Sequence, residues 1–176
     1  AAWVWITGGI HLDGFADTCD GFYGNRPKED ILKIMRDSRI GTMGAAGIVI
    51  ILIFKFAALA SIHPENMWKI LTASTVFGRW SQELACFASV YARDEGKAKH
   101  FIGRAKAADI LIGAVFTLAV FWLTMGIKGA IVFISSSAAV LLFTWYVKKK
   151  IGGMTGDTIG AANEIAETAV LLFALA

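Results

Sequence analysis

Four long apolar segments decide what this chain can become. They cover about 45–62, 68–92, 107–125 and 129–147, and each is near the length needed to cross a bilayer. A fifth, 157–176, starts polar and ends apolar. Hydrophobic residues make up 56% of the chain and its mean hydropathy is +0.60, more apolar than a soluble domain of this length. The fold predicted is all-α: a polytopic membrane helical bundle forming one membrane domain over 1–176. Residues 1–12 read as the last turns of a membrane helix. Because the chain opens in mid-hydrophobic run, "AAWVWITGGI", without an initiator Met, residue 1 reads as the interior of a longer protein, with a further membrane segment upstream.

Charge supports that layout. The net charge of +3 is too small to argue for nucleic acid, but the placement of the 17 Lys and Arg is informative. Arg26, Lys28, Lys33, Arg36 and Arg39 lie in 13–43; Arg93, Lys97, Lys99, Arg104 and Lys106 lie in 92–106; Lys148–Lys150 follow. The connections between these regions, 63–67 and 126–128, hold only Lys128. Basic loops face the cytoplasm, so the chain is predicted to sit in the cell (inner) membrane with the 13–43 region on the cytoplasmic side. Within that region "RPKEDILKIMRDSRIG" puts Ile31, Ile34 and Met35 at helical spacing, which predicts a short amphipathic surface helix. Cys19 and Cys86 have neither the spacing nor the His partners of a zinc site.

The polar residues that interrupt this apolar chain are its candidate site. In "HLDGFADTCDGF", residues 11–22, Asp13, Asp17 and Asp20 stand at i, i+4 and i+7. On a helix they share one stripe, where they repel one another unless a cation intervenes. Mg²⁺ suits such a site, because it binds a few carboxylates together with phosphate oxygens. "DSRIGTMG", residues 37–44, adds Ser38, Arg39 and the N–H groups of Gly41 and Gly44 at a helix start, a place for phosphate, with Asp37 as a further metal ligand. In "GDTIGAANEIAETAV", Asp157, Glu164 and Glu167 put acids on a face that otherwise enters lipid, and such groups usually point into a cavity. Arg79 either pairs with Glu83, four residues on, or faces the polar cavity and meets a phosphate. Lys55, near the middle of its helix, is unassigned. His11, His63 and His100 read as structural or interfacial. Acids for a cation, with Arg and glycine N–H groups for phosphate, fit metal-assisted phosphoryl or phosphodiester transfer.

"GGIHLDGFADTCDGF", "IMRDSRIGTMG", "FGRW", "VYARDEG" and "GGMTGDTIGAANEIAE" together resemble the membrane cobalamin synthase family, the adenosylcobinamide-GDP ribazoletransferases. The motifs occur in the family's order and span nearly the whole chain. The resemblance implies an enzyme that joins adenosylcobinamide-GDP to α-ribazole, or to its 5′-phosphate, with release of GMP and with Mg²⁺ as cofactor. It implies that Asp13 and Asp17 bind the metal, with Asp20, Asp37 and Asp157 near it. Asp20 or Glu164 would take the attacking hydroxyl's proton, and Ser38, Arg39, Gly41 and Arg79 would hold the pyrophosphate. Its partners would be the two substrates and the lipid bilayer, with homo-oligomerisation left open. Two other classes compete. A CDP-alcohol-type membrane phosphotransferase wants Arg after Ala16, where this chain has Asp17. A cation transporter wants acids spread through the bilayer depth.

Overall fold

A computed structural model describes residues 2–102 and 106–176. These residues form α1 (Ala2–Ile6), α2 (Ile10–Phe22), α3 (Lys28–Ile34), α4 (Thr42–Ser61), α5 (Pro64–Phe87), a 3₁₀ turn (Lys97–His100), α6 (Ala107–Met125), α7 (Ile127–Ile151) and α8 (Gly156–Phe173). The fold is an all-α bundle. Residues 1–12 are not one helix end. Gly8 and Gly9 take left-handed φ values of 60° and 71°, a conformation that only glycine adopts easily, and they break α1 from α2. The acid-rich stretch is therefore a helix of its own.

Among the described residues three helices, α4, α6 and α7, are long and apolar enough to cross a membrane. They turn Phe56, Val115, Leu123, Ile134 and Leu142 outward, as a surface in contact with lipid would. α5 differs from the expected span over 68–92. It starts at Pro64, whose missing N–H suits a first helical turn, and it ends at Phe87. Beyond it the backbone becomes extended. The Met154 N–H donates to the Val90 carbonyl at 2.8 Å, and the Ala92 N–H donates to the Met154 carbonyl at 2.9 Å. These two bonds tie the end of α5 to the start of α8.

α8 is the central helix, packed on α2, α4, α5 and α7. Its face of Gly160, Ala161, Ala162, Ala166 and Ala169 is buried, and small residues let helix backbones approach closely. Thr155 caps it: the Thr158 N–H donates to Thr155 Oγ1 at 3.2 Å, and the Thr155 N–H donates to Thr158 Oγ1 at 2.8 Å. Between α5, α6 and α7, Phe77 packs against Trp80, Phe121 and Phe133 with centroids 5.6–5.8 Å apart. The amphipathic helix appears as α3. It docks through Ile31 and Met35, which join Val147, Ile151 and Met154 in one buried cluster. That docking gathers the basic segments 13–43, 92–102 and 148–150 at one end of the bundle.

α2 crosses closely over the start of α8. A Cβ on Gly14 would lie 2.6 Å from the Asp157 carbonyl oxygen and 2.9 Å from its Cα. Backbone cannot yield as a side chain can. Gly14→Ala is therefore expected to lower stability by roughly 1–3 kcal/mol, as overpacking does, read as a lower melting temperature in detergent. An unchanged melting temperature would mean that the two helices sit farther apart.

Candidate active site

The α2–α8 crossing sets the acids. Asp13 and Asp17 lie on one face of α2, one turn apart, and Gly14 between them rests on the backbone of Asp157. On the other side of the contact, Gly160 of α8 rests on the backbone of His11. The carboxyl of Asp17 is pushed up to about 7, first by loss of solvent and then by the negative charges of Asp13, Asp157 and Asp20. Arg93 pulls the other way. It donates to Asp157 Oδ2 at 2.8 Å, and its buried Nε has no hydrogen-bond partner.

Asp20 has a different setting. Its Oδ2 accepts the Gly41 N–H at 2.7 Å and its Oδ1 accepts the Gly44 N–H at 2.8 Å. The start of α4, which the sequence offers to a phosphate, is thus held by an internal carboxylate. The same helix-dipole attraction acts on both kinds of anion. Asp37 and Arg39 form a pair at the surface, Nη2 to Oδ2 2.7 Å and Nε to Oδ1 3.0 Å. These bonds from Arg39 hold the Asp37 carboxyl down at about 2. Asp20, Arg26, Asp37, Arg39, Gly41 and Thr42 line a cavity of about 700 Å³, and Ser38 is exposed nearby in the chain.

A second, larger cavity of about 1100 Å³ opens at the other end of α2. Its walls include His11, Arg79, Tyr91, Arg93, Phe101 and Asp157. Arg79 turns to this cavity and not to Glu83. Its Nη1 reaches His11 Nε2 at 2.9 Å and Asn163 Oδ1 at 3.3 Å. Gln82 Nε2 also meets His11 Nε2, at 3.0 Å. The same Arg79 Nη1 lies 3.3 Å from His11 Nδ1; arginine only donates, so the ring nitrogen that meets it accepts and the imidazole is neutral. Loss of solvent, then the neighbouring Arg79 charge, lowers the His11 pKa and favours that form. His11 is thus part of the site's wall, a role its sequence position beside the acids hinted at without specifying. His100 lines the same cavity, whereas His63 lies at the start of α5.

Glu164 lies two turns along α8 from Asp157. Its Oε2 accepts from Lys55 Nζ at 2.6 Å, and Lys55 also donates to Glu167 Oε2 at 2.7 Å. The acids of α8 therefore divide. Asp157 joins the α2 stripe, while Glu164 and Glu167 are ion-paired inside the bundle. Sequence reasoning missed Lys55 as their partner; its one signal was a lysine in an apolar helix, too deep to reach water easily.

Among the described residues, no three His, Cys, Asp or Glu side chains gather closely enough to hold a metal ion by themselves. A hard, all-oxygen site of one or two carboxylates is still the ordinary protein contribution to Mg²⁺, which fills its shell with water and substrate phosphate. Asp13 and Asp157 fit that pattern, since both hydrogen bonds to Asp157 fall on Oδ2.

Fold and site together define a polytopic membrane protein with an acidic, arginine-flanked site at one end of its bundle. The cobalamin-5-phosphate synthase family model matches residues 1–175, and the chain belongs to that family. It is similar to the adenosylcobinamide-GDP ribazoletransferase of Clostridium acetobutylicum, 39% identical over 97% of this chain and 68% of the relative. It is 40% identical to that of Acetivibrio thermocellus, over 98% and 70%. With that of Alkaliphilus oremlandii it shares 41% identity, over 99% and 70%. No solved structure matches the chain.

The raised Asp17 pKa gives a pH test. In the native protein Asp17 keeps its proton up to about 7, against 3.8 for an ordinary aspartate. Its contribution to stability is therefore complete at low pH and is lost as pH rises through that window. Without divalent ions, the melting temperature of wild type relative to Asp17→Asn should fall as pH rises from about 4 to about 7 and level off above that. Mg²⁺ should restore it at pH 8. Parallel profiles for the two proteins would mean that Asp17 feels no crowding.

Proposed function

We propose that this protein joins adenosylcobinamide-GDP to α-ribazole, or to its 5′-phosphate, with release of GMP. The family match across residues 1–175 carries this reading, and the acid-and-arginine site at the α2–α8 crossing supports it. A ribose hydroxyl oxygen of the acceptor attacks the phosphorus next to cobinamide. The bond from that phosphorus to the GMP oxygen breaks, and a phosphodiester is formed.

Asp13 and Asp157 would hold Mg²⁺, which supplies neutralisation of charge on the transferring phosphoryl group. Arg79 and Arg93, on the wall of the larger cavity, bind the pyrophosphate. Arg39 stands at the smaller cavity with Asp20, and Ser38 is its exposed neighbour in the chain. Asp20 and Glu164 are both committed to partners, to the start of α4 and to Lys55. Asp17 is the carboxylate whose pKa near 7 suits it to take the attacking hydroxyl's proton at Oδ. Asp20 instead fixes α4 against α2. The distribution of Lys and Arg supports an inner-membrane location with this site on the cytoplasmic side.

The purified protein, given labelled adenosylcobinamide-GDP, α-ribazole and Mg²⁺, should release GMP. Asp13→Asn should reduce turnover by at least about a hundredfold, as loss of a charge-stabilising group does, without lowering the yield of folded protein. Turnover unaffected by Asp13→Asn would remove that residue from the site. A wild type that releases no GMP, while longer relatives do under the same conditions, would contradict the assigned reaction for this chain.

A further inference from the structure

Lys55 has no place in the chemistry above, yet the structure surrounds it with partners. Its side chain is only 10% exposed, and those of Glu164 and Glu167 are 11% and 6% exposed. In an apolar bundle these charges persist because they are paired and hydrogen-bonded. Lys55 sits about 20 Å along α4 from its start. Helical side chains lean toward the N-terminus, so its ammonium group leans back toward the site end of the bundle.

From Lys55 the hydrogen bonds continue without a break. Glu167, held at Oε2 by Lys55, accepts the Asn163 Nδ2 donor on Oε1 at 3.0 Å. That bond fixes which way the Asn163 amide faces. Its Oδ1 then points to α5 and accepts from Gln82 Nε2 at 2.9 Å and Arg79 Nη1 at 3.3 Å. Gln82 and Arg79 in turn both reach His11 Nε2. The path links α4, α8, α5 and α2. It ends on three residues, Arg79, Gln82 and His11, that line the larger cavity. Gly78 keeps it compact: a Cβ there would lie 2.9 Å from Asn163 Oδ1 and 2.9 Å from Glu167 Cγ.

We propose that Lys55 is a positioning residue: through Glu167 and Asn163 it holds the Arg79 guanidinium and the His11 ring in place on the cavity wall, where Arg79 meets the substrate's pyrophosphate. This rests on the assignment of Arg79 to pyrophosphate in the proposed function. Arg79 is exposed, and a long exposed side chain has many rotamers. The Asn163 carbonyl and the His11 ring, two acceptors on different helices, select one. If Lys55 is removed, Glu164 and Glu167 repel each other and the Asn163 amide loses its fixed partner. Arg79 then loses one of its two anchors although no residue of the cavity has changed.

The test compares wild type with Lys55→Arg, Lys55→Met and Asn163→Leu, by steady-state kinetics and by GDP affinity in titration calorimetry. Asn163→Leu breaks the path beyond Glu167 and leaves the Lys55 ion pairs intact, so it decides the question even where Lys55→Met fails to fold. The expected result for Asn163→Leu and for folded Lys55→Met is a KM for adenosylcobinamide-GDP raised roughly tenfold, the scale of a displaced positioning group. The KM for α-ribazole should stay within twofold of wild type. Lys55→Arg should remain near wild type. GDP affinity should weaken by the same factor as the KM rises. If wild type releases no GMP but GDP affinity still follows this order, the positioning role stands and the assigned reaction falls. If a folded Asn163→Leu protein binds GDP as tightly as wild type, or if wild type binds no GDP, the positioning role is overturned.

Discussion

The site depends on how closely α2 can cross the start of α8. Gly14 and Gly160 face backbone across that crossing, and each has a side of the contact where a larger residue would need room that is not there. The consequence is electrostatic. Asp17 and Asp157, about 140 positions apart in the chain, are brought within reach of each other, and Asp17 keeps its proton into the neutral range. Crowding of this kind opposes folding and is tolerated where a positive charge relieves it. Arg93 relieves part of it, and a divalent cation with substrate phosphate is suited to relieve the rest.

The same bundle handles charge in a second way, deeper inside. Glu164 and Glu167 share the one Lys55 ammonium within the apolar interior. Two sets of acids on one helix thus have separate tasks. Asp157, at the start of α8, stays with the reactive stripe, and the glutamates two and three turns on are structural and orienting. α8 can carry both sets because it is enclosed by α2, α4, α5 and α7, while the apolar helices α4, α6 and α7 face outward.

Much of this was legible in the sequence. The apolar spans α4, α6 and α7 follow from run length alone, because the bilayer leaves helices few alternatives. The one-sided placement of Asp13, Asp17 and Asp20 follows from a spacing of four and three, and α2 is helical across them. What could not be read were partners far apart in the chain. Lys55 is 109 and 112 residues from the glutamates it meets. Asp20 is 21 and 24 residues from the two N–H groups it caps, so a carboxylate that reads as reactive is also an anchor. The break at Gly8–Gly9 was hidden because an apolar run continues through it. α5 stops before Val90 because the next residues pair as extended backbone with Met154, which propensity does not show.

The central claim is that Asp13 and Asp157 share a divalent cation at the crossing. Crystals grown with Mn²⁺, measured at the manganese absorption edge, test it most directly. An anomalous peak is expected between the carboxylates of Asp13 and Asp157, absent from Asp13→Asn crystals. A peak at Asp37, or none near α2 at saturating Mn²⁺ and GDP, would contradict it.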